Sequence, residues 1–393
     1  MQVRRISAEE RLSHSFPLQA YAFEQSPAPA ANTDRWRAYL PYNEGNRTLV
    51  AEDGDTALAA ATAIPMRQNV RGQMLAMAGI AGVATHPLAR RQGHVRTLLI
   101  TLLGEMREEG HSVSVLYPFR PSFYARFGYV TLPKRRTVSF APADLGDLNR
   151  ADLPGEVTWE RMSAGYDTYR EFMLRLARER HGLALFPDYR DARLRDDDER
   201  WLVTARLDGT VIGAAAYKVT GYNGELEVDD LLVTTPLGRL LLLRFFARHV
   251  DQVSRVVAGL PADELPELWG TDLQVTVEGH TTIPTGNAPM ARVLSIQALA
   301  GLTVGPGRVT VEIVDDPFLE GAFTLDGRGG ALEVTAGGES TAALSAAGLS
   351  ALVYGVLDPE ELPLRGLGAV PADAARELRA LFPRLVPHVV ADF

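Results

Sequence analysis

Between Val95 and Met106 the apolar residues fall at Val95, Leu98, Leu99, Leu102, Leu103 and Met106, the spacing that lines one face of an α-helix and turns it toward a core. The chain ahead of this stripe has a different rhythm. Leu49-Val-Ala-Glu-Asp reads as a strand running into an Asp53-Gly54 hairpin turn, and Met74–Thr85 as a longer apolar strand that stops before Pro87. Glu108, Glu109 and Gly110 close the helix, and Ser112–Tyr117 is again β-like. Strand, helix and strand in this order predict a right-handed crossover between neighbouring strands.

The pattern then recurs. Arg206-Leu-Asp-Gly-Thr repeats the turn at Asp208-Gly209, and Leu231-Leu-Val-Thr-Thr-Pro leads into an apolar helix over Leu240–Val250. The two turns lie 155 residues apart, and Pro87 and Pro236 lie 149 apart. Such near-equal offsets predict two related α/β modules in tandem. After about residue 290 the character changes: short β-like runs at Val309–Val314, Gly321–Leu325 and Ala331–Val334 precede Ala/Leu-rich helical segments near Ser345–Tyr354 and Ala372–Leu381. That order predicts an α+β third domain. The expected division is therefore 1–150, 151–289 and 290–393, which agrees with a length of 393 residues, more than one core usually organises.

Composition narrows the function. With 49 acidic against 40 basic residues, a formal net charge of -9 argues against a binder of nucleic-acid backbones, whose affinity comes from clustered cations, and favours a cationic small substrate. The absence of cysteine excludes disulfides, thiolate metal sites and a cysteine nucleophile, and is compatible with a cytoplasmic life. The 8 histidines show no metal-ligand spacing, so no metal is expected. The start Met1-Gln-Val-Arg-Arg-Ile lacks the apolar core of a signal peptide. The apolar runs near Met74–Ala84 and Leu240–Phe246 fall short of the ~20 residues a membrane helix needs. A soluble chain without membrane partners is expected. Asp196-Asp-Asp-Glu199 reads as a solvated helix start.

The segment Val83-Ala-Thr-His-Pro-Leu-Ala-Arg-Arg-Gln-Gly-His-Val-Arg96 puts a strand end, a proline turn and a basic, glycine-containing helix start in one run. A helix start offers amide N–H groups without intrahelical acceptors and the positive end of the dipole. Gly93 lets a diphosphate approach the backbone, and Arg90, Arg91 and Arg96 can add charge-assisted hydrogen bonds. The alternative is a solvated basic turn ahead of a core-facing helix. Further along, Phe119-Arg-Pro-Ser-Phe-Tyr-Ala-Arg-Phe-Gly-Tyr-Val130 carries Tyr124 and Tyr129 among Phe123 and Phe127, a grouping that an aromatic core also explains.

Arg90-Arg91-Gln92-Gly93-His94-Val95 resembles the acetyl-CoA diphosphate loop of GNAT acetyltransferases, with Val95 standing where that loop ends on Gly or Ala. Together with residues 119–130, the segment resembles the enhanced-intracellular-survival (Eis) acetyltransferase family. The resemblance implies an α/β (α+β) fold of two tandem GNAT-like modules plus a sterol-carrier-like C-terminal domain. It implies transfer of an acetyl group from acetyl-CoA, through a tetrahedral intermediate, to primary amines of aminoglycoside-like, polyamine-like or lysine-bearing acceptors. By family position, the strand end Val83, Ala84 and Thr85 runs along the pantetheine arm, and Arg90, Arg91, Gly93, His94, Val95 and Arg96 surround the diphosphate. Tyr124 becomes the general acid and the terminal carboxylate of Phe393 the base, while Tyr129 is read as core. Phe23, Glu24 and Trp36 fall at the acceptor cleft, and the assembly is a homo-hexamer. Because Val233-Thr-Thr-Pro-Leu-Gly-Arg239 carries no Arg-x-x-Gly run, the second module is expected to be a structural copy. The rival reading is a non-catalytic lipid- or ligand-binding scaffold that uses the third domain; the intact Arg90–Gly93 loop and Tyr124 speak against it.

Overall fold

The computed structural model describes residues 2–196, 198–284, 286–391 and 393. The chain opens with β1 (Gln2–Ile6), α1 (Phe16–Phe23), α2 (Asn32–Tyr39), β2 (Arg47–Asp53), β3 (Thr56–Val70) and β4 (Gln73–Thr85). Then follow α3 (His94–Glu108), β5 (Val113–Leu116), α4 (Pro121–Ala125) and β6 (Val130–Thr131). The apolar stripe of α3 does what its spacing predicts: Leu98, Leu99, Leu102, Leu103 and Met106 are buried against Ala59, Ala61, Ala63 and Ile80 of the sheet. Small side chains on β3 let the helix approach closely, and each buried Leu or Met contributes ~1.5–3 kcal/mol. Across α3, β4 and β5 are parallel neighbours, paired from Met77↔Val113 to Ile80↔Leu116. In the first hairpin the register Asp53↔Thr56 puts Gly54 and Asp55 at the turn centre, one residue later than expected, because Gly54 at φ 55° takes the left-handed first position.

The second unit comprises β7 (Arg136–Phe140), β8 (Glu156–Arg161), α5 (Met162–Glu179), β9 (Ala184–Leu185), α6 (Asp188–Asp196), β10 (Trp201–Leu207) and β11 (Thr210–Val219). It continues through β12 (Gly224–Val233), α7 (Pro236–Ala247), β13 (Val253–Leu260) and β14 (Thr276–Glu278). Its hairpin turns at Asp208 and Gly209, φ 49° and 77°, as expected. Helix α7 begins four residues before the predicted Leu240 and ends before Val250. Pro236 occupies its first turn and the Thr235 hydroxyl accepts from the Gly238 N–H at 3.1 Å, so the start is set by capping rather than by the apolar run. The acidic run at 196–199 follows a helix instead of opening one, since α6 ends at Asp196, whose carboxylate accepts from Tyr42 Oη at 2.8 Å and from Arg195; Asp197 lies outside the described residues.

The third unit holds β15 (Met290–Val293), β16 (Arg308–Val314), β17 (Gly321–Asp326), β18 (Glu333–Ala336), β19 (Ala342–Ser345), α8 (Ala346–Val353), α9 (Glu361–Leu364), β20 (Gly368–Ala369) and α10 (Ala372–Leu381). Sheet membership crosses the expected divisions at 150 and 289. The first sheet runs β1-β2-β3-β4-β5-β15-β6 with β9 paired to β3, the second β14-β7-β13-β12-β11-β10-β8, and the third β18-β17-β16-β19-β20. Strand β15 is buried along its whole length and covers the edge that β5 would otherwise leave open, so the start of the third segment completes the sheet of the first.

Candidate active site

A cleft of about 1540 Å³ runs from the end of β4 and the start of α3, past α4, to a wall contributed by the third unit. At its head, Gly93 caps α3 at φ 86° and, among the described residues, no side chain caps the helix start. Arg91 also has a positive φ, 64°. A β-carbon on Gly93 would meet nothing within 4 Å, so the first amides of α3 face open space. The turn is braced from behind: the Gln92 amide donates to the Leu88 carbonyl at 3.0 Å, and His94 Nε2 lies 3.2 Å from Gln92 Oε1. Arg90, Arg91 and Arg96 are exposed on the cleft rim. Uncapped amides, a positive helix end and three exposed cations are the donor set a diphosphate requires.

Next to the helix start, β4 parts from β5. Their ladder stops at Ile80↔Leu116, while β4 continues against β3 alone through Ala60↔Ala84 and Ala59↔Thr85. A bulge falls between Ala81 and Ala84, at Gly82 with φ 59°, and the Gln19 amide donates to the Gly82 carbonyl at 3.3 Å. Bulges re-aim the backbone, and here the strand edge at Val83, Ala84 and Thr85 is left without a β5 partner on the cleft side.

Tyr124, in α4, is 3% exposed, its ring against Phe119, Phe123 and Tyr129 at centroid distances of 5.5, 5.1 and 6.2 Å. Phe119 and Phe123 line the cleft and Tyr124 packs behind them. Its hydroxyl has no hydrogen-bond partner among the described residues, and burial raises its pKa above the ordinary tyrosine range. Tyr129 is different: its hydroxyl is 2.6 Å from Ser114 Oγ, which donates to the Ala78 carbonyl at 2.8 Å. Burial pushes its pKa up to about 12, and the bond to β5 gives it a structural role. On the opposite face of the sheet the ring of Phe393 stands edge-on to Tyr117 at 5.7 Å and to Phe186 at 6.2 Å. Tyr124 belongs with Ala78, Ile80 and Leu116 on the α3 side, and Phe393 with Met77, Val113 and Val115 on the other. The two therefore lie on opposite faces of the sheet.

Residues 2–132 match one Acetyltransferase (GNAT) domain family, and residues 176–293 match a second of the same description. The chain belongs to the GNAT acetyltransferases. It carries two such domains in tandem and is an acetyl-CoA-dependent N-acetyltransferase. An uncharacterized N-acetyltransferase from Streptomyces coelicolor is 27% identical over 392 residues, covering 91% of this chain and 89% of the relative. The crystal structure of a GCN5-related N-acetyltransferase from Kribbella flavida superposes with a TM-score of 0.83 at 25% identity, covering 100% of this chain and 98% of that one. Eis1 from Mycobacterium abscessus shares the fold over 100% of both chains, with a TM-score of 0.78 at 18% identity.

In this acetyltransferase the second GNAT domain lacks the open helix start. Thr235 caps α7, and a β-carbon on Gly238 would stand 2.3 Å from the Ile212 carbonyl oxygen, so the helix is pressed against β11 where the first domain keeps its cleft. Of the acceptor-side residues expected from the sequence, Phe23 is 59% exposed and lines the cleft mouth with Tyr21 and Ala22. Glu24 is paired with Arg35 and accepts from the Asn32 amide at 3.1 Å. Trp36 packs on Phe16 with centroids 5.9 Å apart. Neither Glu24 nor Trp36 is among the cleft-lining residues.

Sequence reading missed several contributors to the cleft. Tyr21 lies under the Arg90 guanidinium at 5.8 Å from its ring centroid. Arg120 and Arg126 add cations from the two ends of α4, and Arg292, Asp316 and Phe318 reach in from the third unit. A glycine inside an apolar strand was the available signal for the Gly82 bulge; the contacts from the third unit leave no local signal. A second cavity of about 350 Å³ lies on the Phe393 side, where Phe186, Val390 and Ala391 join Tyr169, Asp191 and Asp230. Among the described residues no group of His, Cys, Asp or Glu has a metal-binding arrangement, and no helix is long and apolar enough to cross a membrane.

Proposed function

We propose that this enzyme acetylates a primary amine at the β4–β5 opening, with Tyr124 protonating the leaving sulfur and the Phe393 carboxylate taking the proton of the amine. The observation that carries the reading is the opening where the β4–β5 ladder ends, with Tyr124 packed on the α3 face of the sheet and the Phe393 ring on Gly79 from the other. Acetyl-CoA, when bound, supplies an activated acyl group as a thioester. The backbone edge at Val83, Ala84 and Thr85 pairs with its pantetheine arm. The amides of Gly93, His94, Val95 and Arg96 receive the diphosphate, with Arg90, Arg91 and the Arg96 side chain adding charge. Val95 takes part through its backbone, so its side chain costs little.

The proton count closes. An N–C bond forms and the C–S bond breaks; one proton of the neutral amine passes to the Phe393 carboxylate, the Tyr124 Oη proton passes to sulfur, and exchange with solvent then returns both groups to their starting protonation. The Tyr124 phenol is protonated at neutral pH, as a tyrosine ordinarily is and as burial reinforces, the state a general acid must start in. The acceptor approaches from the Phe393 side, where the second cavity opens, and the expected acceptors are aminoglycoside-like, polyamine-like or lysine amines. The mixed five-stranded third sheet with α8 and α10 packed on it is consistent with a sterol-carrier-like domain. A cytoplasmic homo-hexamer completes the reading, and light scattering that returns a stable monomer at micromolar concentration contradicts that assembly. Calorimetry with acetyl-CoA, followed by an amine-acceptor screen, tests the whole: saturable binding and acetyl transfer support it, and binding without transfer to any amine favours the scaffold.

A further inference from the structure

We infer that Arg292, paired with Asp316, is a positioning residue that ties the third domain to the helix bearing Tyr124. Arg292 sits in β15 and is 1% exposed. Its Nη2 reaches both carboxylate oxygens of Asp316, at 3.0 and 2.9 Å, and its Nη1 donates to the carbonyl of Phe127. Phe127 in turn donates its N–H to the Tyr124 carbonyl at 2.9 Å. One guanidinium thus holds the end of α4 from the third domain's side, in a fork geometry that a lysine does not reproduce.

The surroundings show that this contact is built in. Asp316 Oδ1 also accepts from the Phe318 N–H at 3.0 Å, and the Phe318 ring lies 5.1 Å from the guanidinium carbon. Asp315, beside it, is held at φ 58°. Gly128, the residue after Phe127, has φ 78°, and a β-carbon there would stand 2.7 Å from the Ala346 β-carbon and 3.3 Å from Arg292 Nη1. Ser350 Oγ accepts from the Val293 N–H at 3.0 Å. The loop at residues 315–318 and helix α8 therefore clamp residues 127 and 128, with two polar links to them, Arg292 to the Phe127 carbonyl and Ser350 Oγ to the Gly128 carbonyl at 3.5 Å. A buried ion pair of this kind adds little net stability; what it supplies here is a fixed distance between the third domain and Tyr124.

The inference rests on Tyr124 as proton donor, and a double-mutant cycle separates the two ideas. In Arg292→Lys, kcat falls ~10–100-fold, the scale of a small misplacement of a catalytic group, while calorimetric acetyl-CoA affinity stays within about twofold, because the diphosphate cradle at Gly93 is untouched. In a Tyr124→Phe background the same substitution costs less than about threefold, since no hydroxyl remains to be misplaced. Should Arg292→Lys fail to fold, Arg292→Met/Asp316→Leu removes both charges together and undergoes the same cycle. An equal loss in both backgrounds, or unchanged kcat in a folded variant, overturns the positioning role. Full turnover in Tyr124→Phe alone removes the proton donor and this inference with it, whereas a Tyr124→Phe defect with additive Arg292 loss removes only the inference.

Discussion

The ring of Phe393 lies on Gly79: a β-carbon at residue 79 would stand 3.2 Å from Phe393 Cε2 and 2.8 Å from Met66 Sδ. Phe393 is thereby seated on β4, one residue before the final rung of its ladder with β5. Gly79→Ala forces the ring or Met66 aside. Turnover should fall at least severalfold with acetyl-CoA affinity kept, as should turnover after appending Gly-Ser to Phe393, which moves the carboxylate without touching the core. An extended enzyme with full activity rejects the terminal base.

Gly93 predicts the cofactor's behaviour. Gly93→Asn tolerates the left-handed backbone better than most residues and adds bulk without charge, whereas Gly93→Asp adds a charge facing the diphosphate. Acetyl-CoA affinity measured by calorimetry should fall in both and further in Asp, and Arg91→Ala should weaken it by less than Gly93→Asp. Equal affinities for folded Asp and Asn variants remove the helix start as the anion site.

Much of this was legible in the sequence, and the reason is local. The α3 stripe, the two hairpins and the Arg90–Gly93 loop are set by residues near one another in the chain, so spacing and turn chemistry reveal them. Exact positions slipped where a single residue decides: Gly54 moved the first turn, and Pro236 with the Thr235 cap started α7 earlier than its leucines. What the sequence left hidden is long-range. Nothing around Met290–Val293 marks it as the strand beside β5, and the Arg292–Asp316 pair belongs to a cleft opened by residues some two hundred positions earlier. Glu24 and Trp36 carried a suggestive chemistry, yet Arg35 and Phe16 are the partners they hold.

Two buried histidines predict acid sensitivity. Burial lowers the pKa of His181 to about 4 and of His388 to about 3, and His388 Nε2 has no hydrogen-bond partner among the described residues. A folded pKa below the unfolded one means that the unfolded chain takes up protons first, so stability is full above pH ~6.5 and declines as pH falls toward 4. Urea midpoints at pH 7, 6 and 5 should fall in that order. His388→Leu removes one of these sites and an unsatisfied polar atom, and should flatten the decline; an unchanged slope assigns the acid sensitivity elsewhere.

The central claim is that Tyr124 works as the acid of an acetyl transfer, and Tyr124→Phe tests it most directly, because one hydroxyl leaves while the ring contacts with Phe119, Phe123 and Tyr129 remain. Steady-state turnover with saturating acetyl-CoA and an amine found by screening should drop ~10²–10⁴-fold, the usual contribution of a general acid, with acetyl-CoA affinity preserved. Wild-type turnover in the folded Tyr124→Phe enzyme contradicts the account.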